Sequence, residues 1–428
     1  VAAIVGSALL AGAAPLQAGS RDATSAGLDP AVSGANTFPN TTIGVHVFDD
    51  QLPGSLTPGQ LAFVVSHLDG TQKVPRSLAN QLHAHRPGFR ILQYRLGLGL
   101  GDRVPDGNCQ PTGSYIQILD GNSWVREWPA KVDPQWFAKS PSGKRYFQCD
   151  WGWYLVNTDN ASWRSWFASH VSSQIADTGA DALFLDSVSV PNQFGSWKPA
   201  MNAYDPPLEH QWAKRIGSWL PWIQSRLGVP VIANAGAWVM TRDVTDYSGA
   251  TGVMIEGFAR PWDGLAEADW ELQMDRALSL INKGRVVIGQ TYPDLSDVDA
   301  RMFDLASYLL IKGSHTYINL EMGMGPTWLP EYDVPLGPAL DAVPARVEAL
   351  AHGSVFVRRY RDATVVVNPG DSTATWHAPS SMDKLVPNGG GTVPSNGQVP
   401  ASWKLQRVTA GTSVVLTART AAILVPTN

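Results

Sequence analysis

The sequence predicts an eight-stranded parallel α/β barrel followed by a small antiparallel β domain. Two observations carry this. From residue 43 onward, short apolar runs alternate with helical patterns, the signature of βα units. After residue 352 the helical patterns stop and turn-separated strand patterns take over. A third observation locates the chemistry: Ala182-Leu-Phe-Leu-Asp186 and Gly252-Val-Met-Ile-Glu256 are buried-strand runs that end in a carboxylate. In a parallel barrel the strand C-termini form the rim where active sites are built.

Taken in order, Ile43–Phe48 is the first predicted strand, and a helix opens at Thr57-Pro58 with Thr as cap and Pro at the first helical position. Arg90–Arg95 is the second strand and Tyr154–Asn157 the third. The helix over 159–178 places Trp163, Phe167, Val171 and Ile175 on one face. Leu183–Asp186 is the fourth strand, with a helix over Glu209–Leu227 behind it. The fifth and sixth strands are Pro230–Ala235 and Val253–Phe258. A helix over Glu267–Asn282 leads to the seventh, Arg285–Tyr292. Ser296, with Asp299 three residues on, is the expected cap of a helix reaching Ile311. Thr316–Leu320 is the eighth strand, and a closing helix is expected over Ala339–Ala351. The sequence Leu96-Gly-Leu-Gly-Leu-Gly-Leu lacks the spacing of a dinucleotide-binding turn and reads as loop. Beyond it, Val355–Tyr360, Ala363–Asn368, Trp403–Val408, Ser413–Thr417 and Ala421–Val425 read as strands.

The domain organisation expected is a signal-peptide-like segment at 1–20, a disordered lead-in at 21–40, a catalytic barrel at 41–351 and a β-sandwich-like domain at 352–428. The first twenty residues are small, apolar and uncharged, like the core and cleavage region of a secretory signal, although a basic start is missing. No other segment is apolar enough to span a membrane. The expected location is outside the cell or in its envelope. Net charge is -5 and no long basic run occurs, which argues against nucleic acid as partner. In an exported chain the pair Cys109 and Cys149 suggests a disulfide pinning a loop between the second and third predicted strands, the alternative being two free thiols.

Reading the residue at or just past each strand end gives Asp49 and Asp50, Tyr94 and Arg95, Asn157 and Asp159, Asp186, Asn234, Glu256, Gln290 and Tyr292, then Asn319 and Glu321. Carboxylates, amides and a guanidinium around one mouth suit a hydroxyl-rich ligand. Each also has a plainer reading as a helix cap, turn residue or ion-pair partner. The chain has 17 Trp. Trp124, Trp128, Trp151, Trp153, Trp197, Trp238, Trp262 and Trp328 fall in loop-like stretches. They serve either packing or sugar stacking, and Trp153 and Trp262 are the candidates for stacking. No cofactor is expected, and neither Cys has a neighbour at metal-ligand spacing.

Asn157-Thr-Asp-Asn-Ala-Ser-Trp163-Arg-Ser-Trp, followed by Thr178-Gly-Ala-Asp-Ala-Leu-Phe-Leu-Asp186-Ser, resembles secreted (β/α)8 glycoside hydrolases. More narrowly, it resembles poorly characterised bacterial glycoside-hydrolase-like proteins distantly similar to the α-galactosidase-like clan. The strand Val365-Val-Val-Asn-Pro369 is similar to one in their C-terminal domains. The resemblance implies Asp186 as nucleophile and Glu256 as acid/base, with retention at the anomeric carbon, on a poly- or oligosaccharide. That clan usually carries Asp at the sixth-strand position, so Glu256 is a departure. Phe258 and Trp262 close by are expected to desolvate Glu256 and raise its pKa. A non-catalytic carbohydrate-binding protein on the same scaffold is the alternative. Val47-Phe-Asp49-Asp50 is similar to the first strand of metal-dependent polysaccharide deacetylases, but their paired His motif does not occur among the nine histidines.

Overall fold

The computed structural model describes residues 34–101, 109, 116–120, 123–127, 132–193, 195–201, 205–260, 264–321, 323 and 325–427. The signal-like segment, most of the lead-in and Trp262 lie outside these residues, as do the side chains of Trp124 and Trp128. Eight parallel strands close into a barrel: β1 Val47–Asp49, β2 Leu68–Gln72, β3 Arg90–Leu96, β4 Ala182–Asp186, β5 Val231–Asn234, β6 Gly252–Glu256, β7 Val286–Gln290 and β8 Thr316–Asn319. Each pairs with its sequence neighbour, and β8 returns to β1 at Val47↔Ile318.

Helices follow six of these strands: α1 Pro58–His67, α2 Arg76–His85, α3 Ala161–Thr178, α4 Pro206–Leu227, α5 Glu267–Ile281 and α6 Val298–Ile311. Thr57 and Gln60 form a reciprocal capping box on α1. The cap of α6 is Asp297, which accepts from Ala300 N, and not Ser296, whose hydroxyl is spent on Asp294. The closing helix expected at 339–351 is reduced to a single 3-10 turn, Val347–Leu350. Pro344 stands in the middle of that stretch, where its missing N–H and its ring oppose helix.

Two strand expectations are corrected. The segment Leu68-Asp-Gly-Thr-Gln72 has no apolar run, yet it is the second barrel strand and is buried throughout. Gly70 makes this possible, since a Cβ there would lie 2.3 Å from the Phe48 ring. The expected third strand is not in the barrel. Trp153–Leu155 pairs antiparallel with Phe147–Gln148 and Gly99–Leu100 in a small sheet that Trp197–Lys198 completes. This sheet is built from the segments that leave the C-terminal ends of β3 and β4. Cys109 and Cys149 form a disulfide within the first of them.

Alternation along each strand sorts the interior from the helix layer. Phe48, Leu92, Tyr94, Phe184, Ile232, Met254, Ile288 and Tyr317 fill the barrel. Phe38, 3% exposed, packs beneath Phe48 and Tyr317, so residues 34–40 belong to the barrel and are not a free lead-in.

The C-terminal strands form one six-stranded antiparallel sheet in the order 351–352, 355–359, 364–368, 420–426, 374–388, 404–416. Strand 374–388 escapes sequence reading because it is polar, contains two prolines and is bulged between His377 and Met382. One face of the sheet (Phe356, Val365, Val367, Ile423) joins the barrel core, and the other forms its own small core. α6 lies between barrel and sheet and is buried at every residue from Ala300 to Ile311. The buried Arg358 reaches across and donates to the last carbonyls of α6 at Leu309, Leu310 and Lys312, 2.8–3.1 Å.

Candidate active site

The period of two that fills the barrel also builds the mouth. Phe184, Ile232 and Met254 point inward, so Asp186, Asn234 and Glu256, two residues on, point the same way at the rim. β5 lies between β4 and β6, which seats Asn234 between the two acids. Asn234 Nδ2 donates to Asp186 Oδ1 at 2.8 Å and to Glu256 Oε2 at 2.6 Å. Those two oxygens are therefore at most the sum of the two distances, 5.4 Å, apart.

Each acid also receives a phenol. Tyr94 donates to Asp186 Oδ2 at 2.6 Å, and Tyr292 to Glu256 Oε1 at 2.8 Å. Asp186 Oδ1 further accepts from Ser187 N, held at positive φ, at 2.8 Å. Burial, then the charge of Asp186, pushes Glu256 above the ordinary carboxylate range, while the bonds from Asn234 and Tyr292 partly offset this. Both acids remain half-exposed to the mouth, whereas Asn234 and Tyr94 are buried.

A second carboxylate group lines the other side of the ring. Asp50 accepts from Gln72 Nε2 and from Lys73 Nζ, the latter at 2.8 Å. The same ammonium sits 5.1 Å from the centre of the Tyr94 ring, so Tyr94 links this group to Asp186. Asp49 is buried and raised well above its usual range, by desolvation first and then by Glu321 and Asp50. Glu321 is pushed up to about 7 by burial, with Asp50 adding to it. Gln72 and Lys73 went unread in the sequence because β2 did. The available signal was spacing: the stretch from His67 to Arg90 is long enough for a further strand and helix.

The remaining sequence candidates separate. Gln290 and Asn319 are fully buried, bonded to each other at 3.1 Å, and both donate to the Glu321 carbonyl, at 2.9 and 2.8 Å. Arg95 follows the inward Tyr94 and so faces the helix layer, over the Phe167 ring of α3. Asn157 closes a turn ahead of α3 by accepting from Asp159 N. Trp153 is buried edge-on against Trp197 in the small sheet. The structure does not bring these last three to the carboxylates. Of the loop tryptophans, Trp153, Trp197, Trp238 and Trp328 are core residues, and Trp151 is 64% exposed.

No group of acids, histidines or cysteines among the described residues is arranged to hold a metal ion. No helix among them is long and apolar enough to cross a membrane.

A comparison with curated proteins finds no match. Among solved structures, the chain is similar to the glycoside hydrolase domain of PelA from Pseudomonas aeruginosa. The identity is 12%, over 66% of this chain and 96% of that one, with a TM-score of 0.42. It is also similar to the maltogenic α-amylase AmyB from Thermotoga neapolitana, at 8% identity over 90% and 99% of the two chains, TM-score 0.40. At these scores the barrel rests on its own strand pairing and not on the likeness. The sequence itself is more specific. The model of "hypothetical glycosyl hydrolase family 15" matches residues 110–364, a span that holds Asp186, Asn234 and Glu256. The chain belongs to that family.

Proposed function

We propose that this protein hydrolyses O-glycosidic bonds of an extracellular poly- or oligosaccharide, with Asp186 as nucleophile and Glu256 as acid/base. The observation that carries the reading is the Asn234 bridge, which holds two inward carboxylates side by side at the mouth. Retaining glycosidases keep their carboxyls about 5–5.5 Å apart, and inverting ones leave about 6.5–9.5 Å for a water. The 5.4 Å limit on the bridged oxygens supports retention.

In the first step a carboxylate oxygen of Asp186 bonds to the anomeric carbon while the glycosidic C–O bond breaks. Glu256 gives its proton to the departing oxygen. In the second step water attacks the anomeric carbon, loses a proton to Glu256 and releases Asp186. The two acids suit different roles. Asp186 accepts three hydrogen bonds, from Tyr94, Ser187 N and Asn234, which hold its carboxylate in one orientation at the mouth. Glu256 is desolvated and raised, as an acid poised to donate must be. Asp50, Lys73 and Glu321 form the opposite wall, suited to binding sugar hydroxyls. The catalytic unit runs to about residue 351, with the β domain at 352–428. The signal-like start and the disulfide support a location outside the cell.

The test is turnover on a panel of bacterial and plant polysaccharides by parent and Asp186→Asn protein. Product from the parent alone is expected, with the same anomer in product as in substrate by NMR. Equal product from both proteins would remove Asp186 from the mechanism. Binding by both without turnover would favour a carbohydrate-binding protein.

A further inference from the structure

Opposite the carboxylates, at the N-terminal end of the barrel, a cavity of about 630 Å³ opens between the barrel and the antiparallel sheet. Its walls come from the segments ahead of β1 and β8, the end of α5 and the loop around residues 338–343. The volume is that of small-ligand sites in general.

One wall is cationic. Lys312 is 3% exposed, and its ammonium has no hydrogen-bond or ion-pair partner among the described residues. Arg358 lines the same cavity, and its Nη1 is spent on backbone carbonyls, which leaves its charge in place. Asp341, the one acid among the lining residues described, is committed to Arg359 at 2.6 and 3.2 Å. Burying a cation without a partner is disfavoured. Desolvation and the Arg358 charge accordingly push Lys312 down to about 7.

The rim is apolar. Ile43 and Leu340 are 57% and 63% exposed, two of the few large apolar side chains that stand in solvent here. Ile281 continues the surface inward. A bare inorganic anion would satisfy Lys312 and leave this rim wet. A neutral apolar molecule would cover the rim and leave the ammonium unpaired.

We propose that this cavity binds a small amphiphilic monoanion, its carboxylate on Lys312 and its short apolar body against Ile281, Ile43 and Leu340. The probe is octanoate, titrated calorimetrically into the full chain, with octan-1-ol and inorganic phosphate as controls. Saturable binding of octanoate is expected, weakened tenfold or more by Lys312→Met. Leu340→Asp, on an exposed loop residue, is expected to weaken it similarly by repelling the anion, and it keeps the test valid should Lys312→Met fail to fold. No octanoate binding, or equal binding by parent and both variants, overturns the proposal. Octan-1-ol bound as tightly as octanoate overturns the charge half, and phosphate bound as tightly overturns the apolar half.

Discussion

Asp186 and Glu256 are joined through one atom: the Nδ2 of Asn234 donates to both, at 2.8 and 2.6 Å. A residue with the same shape and no donor would leave two half-buried carboxylates facing each other without a link. Like charges at such range oppose joint ionisation.

Asn234→Leu is therefore expected to lower kcat by about 10²-fold, the range seen when one preorganised donor is removed. It should also move the alkaline limb of kcat/KM to higher pH. The Asn234 bond lowers the Glu256 pKa, so losing it raises that pKa further, and Glu256 keeps its proton to higher pH. A pH profile of parent and variant checks this; an unmoved limb would detach Asn234 from Glu256.

Glu321 ties stability to pH. Its folded pKa, about 7, lies above the ordinary 4.5. The folded state thus holds a proton that the unfolded chain has released between these values. The stabilisation is fully present below about 4.5 and is lost as pH rises through about 7. Glu321→Gln should flatten Tm against pH across this window. Parallel Tm curves for parent and variant would contradict the assignment.

Gly70→Ala tests the barrel strand that the sequence hides. An added Cβ meets Phe48 Cε2 at 2.3 Å and the Arg90 carbonyl at 2.5 Å, and the latter, being backbone, yields little. A loss of about 1–3 kcal/mol in urea unfolding is expected, as for overpacking. A neutral result would mean that β1, β2 and β3 separate easily.

Arg301→Met removes one half of a bidentate pair with Glu331, both contacts at 2.7 Å and both residues buried. The stranded carboxylate should cost about 3–5 kcal/mol. Replacing both residues by apolar ones of similar volume should restore much of that loss, and a double-mutant cycle measures it.

How far the sequence could be read depended on which partner each residue answers to. β4 to β8 were legible because each is a local apolar run ending in a polar residue, and Asp186, Asn234 and Glu256 came with them. β2 was not, because Leu68-Asp-Gly-Thr-Gln72 is chosen for its neighbours: Gly70 for the Phe48 ring, Gln72 for Asp50. Trp153–Leu155 failed in the opposite sense. Its aromatic run has the local look of a barrel strand, but its pairing partners are set by the long segment after β3. Arg95 illustrates a third kind of limit. Once Tyr94 is known to face inward, alternation sends Arg95 outward, and the sequence does not say which of the two it is. Gln290 and Asn319 stood at the right place but serve the Glu321 carbonyl, a bond made across strands.

α6 carries a final consequence. A helix at the outside of a barrel normally shows one face to water, and this one has none to show from Ala300 to Ile311. Its outer face was written for the sheet, and Arg358 closes its last turn from the sheet's side. Cutting the chain near residue 351 would hand the solvent a greasy stripe and two uncapped carbonyls at Leu309 and Leu310. Barrel and sheet are thus expected to stay folded only together, and a soluble fragment that keeps the Asp186–Glu256 pair has to carry the sheet with it.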